Sequence, residues 1–168
     1  MYDKIFVDFD DTLCLHSHKI DSKYFITAPF EYISNEAYKD SILNKSLYEW
    51  LLEKQNNPKS QAQVYMITLA STFMLEAKKI WTKMYCPELN ILDFIGVSID
   101  VTKSDIVEAY SKLEEERSLT AEPNIFFIDD SPSERHSVKE TCNKVIVLSP
   151  QYIAELSRTK IERNGNGV

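Results

Sequence analysis

The stretch "FVDFDDT" puts Asp8, Asp10 and Asp11 within four positions, against the end of a short apolar run. Alternation along an extended chain points residues i and i+2 the same way, so Asp8 and Asp10 present their carboxylates to one site. A second acidic pair, Asp129 and Asp130, closes the apolar run in "IFFIDDSPSE". There Ser131 reads as a helix N-cap, Pro132 as the first helical residue and Glu134 as the capping-box partner. Carboxylates gathered in this way suit Mg²⁺, a hard cation that takes oxygen ligands. Thr68 ends the run "VYMIT"; taken alone it reads as a β-branched strand residue, with binding of a phosphate oxygen by its hydroxyl as the alternative. Lys103 follows Thr102, an N-cap with Asp105 three residues on. A cation in a first helical turn opposes the helix dipole, which hints at an anion partner, although a solvated lysine is the plainer reading of this residue alone.

Other chemistries find little support. The chain has three glycines and neither a Walker A loop nor a GxGxxG fingerprint. No cysteine is followed by arginine six residues on, as a cysteine-phosphatase loop would need, and there is no GxSxG elbow. His16 and His18 form an HxH pair without clear further ligands; they read as loop histidines, with substrate contact as the alternative.

The elements that must position these groups follow from hydrophobic pattern. Residues 4–9, 64–68, 94–99, 125–130 and 144–148 are nearly continuous in apolar side chains, as in strands of a parallel sheet covered on both faces. Between them the spacing is helical. Leu43, Leu47, Trp50 and Leu51 share a face; so do Phe73, Ala77, Ile80 and Met84; so do Ile106, Tyr110 and Leu113. Strands alternating with helices predict a doubly wound, mostly parallel Rossmann-like α/β sheet in a single domain. Ligands of such sheets bind beyond the carboxyl ends of the strands, where the acidic residues fall. Residues 14–41 break the rhythm and read as an insertion, a flap or minimal cap. Its Tyr24, with Phe25, Phe30 and Tyr32, offers stacking surfaces, although packing on the core is the plainer use of them. Residues 162–168 read as a flexible tail.

The chain has 168 residues, 19 basic against 26 acidic, and a net charge of −7. That balance disfavours a broad nucleic-acid-binding surface, which needs Lys and Arg against phosphates. Cys14, Cys86 and Cys142 are odd in number and lack CxxC spacing, consistent with reduced thiols and a cytoplasmic setting. No apolar run approaches the roughly 18 residues of a membrane span.

Taken in order, the chain reads DxDxT after strand one, Thr after strand two, Lys opening a later helix and Asp-Asp after strand four. This resembles the haloacid dehalogenase (HAD) superfamily, from about residue 3 to about residue 148. The resemblance implies Asp8 as nucleophile, Asp10 as general acid/base, Thr68 and Lys103 as phosphoryl contacts, and Asp130 as a Mg²⁺ ligand. Asp129 would be a further ligand or its support, and Asp8 and Asp10 would complete the metal set. Many members carry glycine where this chain has Asp11. The implied activity is Mg²⁺-dependent hydrolysis of a phosphomonoester, with a protonated Asp10 relieving the charge of the cluster. Phosphotransfer by the same chemistry, or a catalytically silent module, are the alternatives. A receiver domain would need its aspartate after the third strand, where only Asp100 stands. The partner implied is a phosphorylated metabolite, nucleotide or macromolecule, which His16, His18 and Tyr24 would help to bind.

Overall fold

The computed structural model describes residues 2–16, 38–117 and 124–165, with side chains as far as Lys160. His18 and Tyr24, and most of the proposed flap, lie outside the described residues.

Five strands form one parallel sheet: β1 (Lys4–Val7), β4 (Gln63–Leu69), β5 (Ile91–Val97), β6 (Ile125–Ile128) and β7 (Ile146–Leu148), in the order β5-β4-β1-β6-β7. β1 is central, with Lys4 opposite both Gln63 and Ile125. Its side chains alternate between two cores. Ile5 and Val7 join Leu47, Leu51, Met74 and Trp81 on one face; Phe6 joins Ile67, Val107, Phe127 and Val138 on the other. Each large apolar side chain fully removed from water contributes about 1.5–3 kcal/mol. Burial on both faces explains the continuous apolar pattern of β1, β4 and β6.

The helices are α1 (Lys45–Asn56), α2 (Thr72–Tyr85), α3 (Lys103–Arg117), α4 (Pro132–Thr141) and α5 (Pro150–Gly165). α1, α2 and α5 supply the first core; α3 and α4 supply the second. This is the doubly wound α/β arrangement that the sequence predicts.

Four details differ from the sequence reading. Leu43 lies in β3 (Ile42–Leu43), just before α1, because Asn44 caps that helix through its side chain. β5 is an edge strand, hydrogen-bonded to β4 alone among the described strands, and it is half exposed. α5 runs through Gly165 into the stretch read as a tail, because no glycine or proline follows Pro150 until that point. The largest change concerns α2. Phe73, Ile80 and Met84 are 56, 59 and 68% exposed, and the buried face is Met74, Lys78, Trp81 and Thr82. Both stripes have helical spacing. The less apolar one faces the sheet because Lys78 finds partners there.

At the base of the insertion, β2 (Cys14–Leu15) pairs antiparallel with β3, Cys14 opposite Leu43 and Leu15 opposite Ile42. This ribbon brings the two ends of residues 14–41 together beside β1. Among the described residues no helix is long and apolar enough to cross a membrane.

Candidate active site and metal cluster

β1 ends at Val7, and the chain then turns through Asp8 to Thr12. Asp11 adopts φ 54°, a left-handed conformation that Asp tolerates better than most side chains. The turn closes with Asp11 N donating to Cys14 O (2.8 Å) and Cys14 N to Phe9 O (2.8 Å).

Asp8 is buried and receives a bond from Lys103 Nζ to Oδ1 at 2.8 Å. The same Nζ donates to Asp129 Oδ2 at 2.7 Å. Lys103 is the first residue of α3, whose capping box forms as predicted: Asp105 N donates to Thr102 Oγ1 (3.2 Å), and Thr102 N to Asp105 Oδ2 (2.8 Å). The lysine is thus placed by its helix start and aimed inward by two carboxylates. Burial works against its charge, but Asp8 and Asp129 more than compensate and raise its pKa above the ordinary value.

Asp129 and Asp130 occupy the junction of β6 and α4. Ser131 caps α4, its Oγ accepting from Glu134 N at 3.4 Å. Ser131 N donates to Asp129 Oδ1 at 2.9 Å, which fixes that carboxylate. Arg135 grips the junction from α4, one nitrogen donating to the carbonyls of Asp129 (2.7 Å) and Asp130 (2.6 Å). Thr12, fully buried, ties the two acidic loops: its hydroxyl donates to Asp8 Oδ2 (3.2 Å) and accepts from Asp130 N (3.0 Å). Thr12 and Arg135 were not singled out by the sequence. Thr12 had a signal in the last position of DxDxT; Arg135 had none.

Carboxylate oxygens of Asp8, Asp129 and Asp130 all lie within 4.8 Å of one another. Burial, and then the Asp8 charge, push the Asp129 carboxyl up to about 7. The same two causes raise Asp130. Three hard oxygen donors straining against their own repulsion are a donor set that fits a divalent cation of the Mg²⁺ type.

Asp10 stands apart from this cluster. Its Oδ2 accepts from Lys78 Nζ at 2.5 Å, and its Oδ1 is bonded to His16 Nε2 at 2.9 Å. The Tyr38 hydroxyl is 3.5 Å from the same oxygen. Burial opposes the Asp10 charge, yet Lys78 and His16 outweigh it, and the carboxyl lies below its ordinary value. The resting site therefore holds Asp10 ionised, and the protonated form that the sequence suggested is not its ground state. Both oxygens are engaged by these partners, whereas the sequence reading had counted the carboxylate among the metal ligands.

Thr68 lies near the end of β4, almost fully buried, and accepts from Lys78 Nζ at 2.6 Å. So β1, β4, β6 and the start of α3 bring Asp8, Asp10, Thr68, Lys103, Asp129 and Asp130 to one end of the sheet. His16 joins them through Asp10. The three cysteines are free and buried, and burial pushes the Cys14 thiol up to about 12. That thiol is a packing group.

No family model and no curated protein matches the chain. The fold nevertheless has solved counterparts, and it is HAD-like. The HAD domain of effector protein Lem4 from Legionella pneumophila superposes with a TM-score of 0.53 and 15% identity, covering 88% of this chain and 84% of that one. An inactive mutant of the same domain gives 0.51 and 14% over the same shares. At such identity the likeness is one of fold.

Proposed function

We propose that this chain is a Mg²⁺-dependent phosphomonoesterase that works through an aspartyl-phosphate on Asp8. The observation that carries the reading is the junction of Asp8, Asp129 and Asp130 within 4.8 Å, with Lys103 bridging Asp8 and Asp129. A nucleophilic carboxylate needs a compensating charge beside it and a fixed direction of attack, and this arrangement supplies both.

Asp8, Asp129 and Asp130 would hold the cation, which would neutralise charge on the phosphoryl oxygens and the cluster alike. Lys103 and Thr68 contact the equatorial oxygens, and positioning with electrostatics carries most of such catalysis. Asp8 attacks phosphorus in line, and the ester oxygen departs with the bonding pair. Asp10 supplies a proton to that oxygen when the leaving group is poor. The dianionic phosphate arriving beside Asp10 favours its protonated form. In the second step Asp10 takes a proton from water, which cleaves the acyl phosphate. Its ionised resting state suits this second role directly.

The substrate is a phosphorylated metabolite, nucleotide or macromolecule. His16 touches the acid/base rather than open solvent, so it bears on the chemistry as well as on recognition. His18 and Tyr24 remain assigned to recognition.

The test is phosphoenzyme trapping. With Mg²⁺ and an aryl phosphate, Asp10→Asn should accumulate one phosphoryl group on Asp8, seen by mass spectrometry of the quenched protein. Wild type should show turnover, and Asp8→Asn neither turnover nor label. Label on another residue, or turnover by Asp8→Asn, would overturn the mechanism.

A further inference from the structure

Lys78 enters the site from the middle of α2 with its side chain 0% exposed. Its Nζ donates to Asp10 Oδ2 (2.5 Å), Thr68 Oγ1 (2.6 Å) and Leu69 O (3.2 Å), and lies 5.3 Å from the centre of the Phe9 ring. An ammonium has three donors and no acceptor, so Thr68 Oγ1 accepts in this contact. The hydroxyl has one hydrogen, which is left for another acceptor. A phosphoryl oxygen held beside Asp8 is the acceptor that this orientation serves. On the other side, Lys78 and His16 hold one oxygen of Asp10 each, which fixes the plane of the carboxylate.

Resting on the phosphatase reading, we propose that Lys78 is a positioning residue that ties the acid/base Asp10 to the phosphoryl-binding Thr68. Its ammonium is engaged by Asp10, Thr68 and the Leu69 carbonyl, and it acts through the first two. A second cation thus organises the site. Lys103 spans Asp8 and Asp129 on the side of the nucleophile; Lys78 spans Asp10 and Thr68 on the side of proton transfer. A core ion pair is often no more stable than an apolar side chain of similar size. Stability alone therefore does not account for a lysine at this point, whereas a fixed geometry for two reacting groups does.

The inference is tested on the full chain with Mg²⁺, using an alkyl phosphate and 4-nitrophenyl phosphate. Lys78→Met should lower the single-turnover rate of phosphoenzyme formation from the alkyl ester by about 10²-fold, the order of a general-acid contribution, and from the aryl ester by clearly less. In an Asp10→Asn background that preferential loss should shrink below about threefold, as for residues acting in one unit. Lys78→Met should also weaken inhibition by inorganic phosphate, and this effect should vanish in a Thr68→Val background. Losses that multiply independently in both backgrounds would overturn the proposal. Should Lys78→Met fail to fold, Lys78→Arg takes its place, since it retains charge without the geometry of a single ammonium. If wild type hydrolyses neither ester, the phosphatase reading falls, and the tie is read by NMR instead. The Lys78 ammonium signal should then shift in both Asp10→Asn and Thr68→Val. A signal unmoved by either would overturn the inference regardless of activity.

Discussion

Asp129 gives the acidic cluster a thermodynamic signature. Burial and the Asp8 charge raise its pKa from 3.8 to about 7. Between those values the folded protein holds a proton that the unfolded chain has released, so stability falls as pH rises across the window. Asp10 has the opposite shift, and its contribution is lost only below the ordinary carboxylate value. The metal-free protein should therefore melt at lower temperature at pH 8 than at pH 5. Mg²⁺ competes with the proton and should stabilise more at pH 8. For a chain of this size each kcal/mol moves Tm by about 2–4 °C. Asp129→Asn should flatten the pH slope and remove the Mg²⁺ effect. Thermal melts with and without MgCl₂ decide it; a Tm indifferent to pH and Mg²⁺ would remove the metal cluster from the account. At the same scale the sequence disclosed Asp8, Asp10, Thr68, Lys103, Asp129 and Asp130, because acidic and cationic residues at strand ends stand out against apolar runs. It concealed Lys78, which sits within a helix pattern among other lysines, and whose meaning comes from side chains 10 and 68 residues away.

Helices and turns were legible in order but less so in orientation. α2 offers two stripes, and the more apolar one, Phe73, Ile80 and Met84, faces outward. Hydrophobic periodicity weighs side chains one at a time, while a buried lysine with three acceptors is a collective arrangement. The orientation has a direct check. Ile80→Gln should change stability by no more than about 0.5 kcal/mol, as surface substitutions do. Met74→Ala, in the core, should cost about 2–5 kcal/mol. Denaturant titrations showing the reverse ranking would turn the helix around. The turn from Asp8 to Thr12 makes a similar statement about the backbone. Asp11→Val places a β-branched side chain at φ 54° and should destabilise by about 1–2 kcal/mol, whereas Asp11→Gly should be tolerated.

Over the whole molecule, the sheet joins groups that the chain keeps far apart. The β2–β3 ribbon anchors residues 14–41 at both ends, and His16 and Tyr38 both reach Asp10 from it. Replacing residues 17–37 by a short Gly/Ser linker should keep the sheet and the hydrolysis of a small aryl phosphate, while discrimination among larger phosphate esters is lost. Steady-state kinetics on a panel of esters would show it; loss of aryl-phosphate turnover in a folded variant would give the insertion a chemical role.

The central place of β1 has a further consequence, for assembly. The earliest sheet strand to leave the ribosome is the one flanked on both edges, by β4 and then by β6. Its pairing with β6 joins Lys4 to Ile125, so one edge stays open until residues 125–128 have been made. Such long-range pairing slows folding, because the chain must close large loops before the contacts reward it. The last strand to complete that edge also brings Asp129 and Asp130. A nascent chain therefore carries Asp8 early but gains Asp129 and Asp130 beside it only when β6 docks, so the cation proposed for this cluster would be captured only after that pairing.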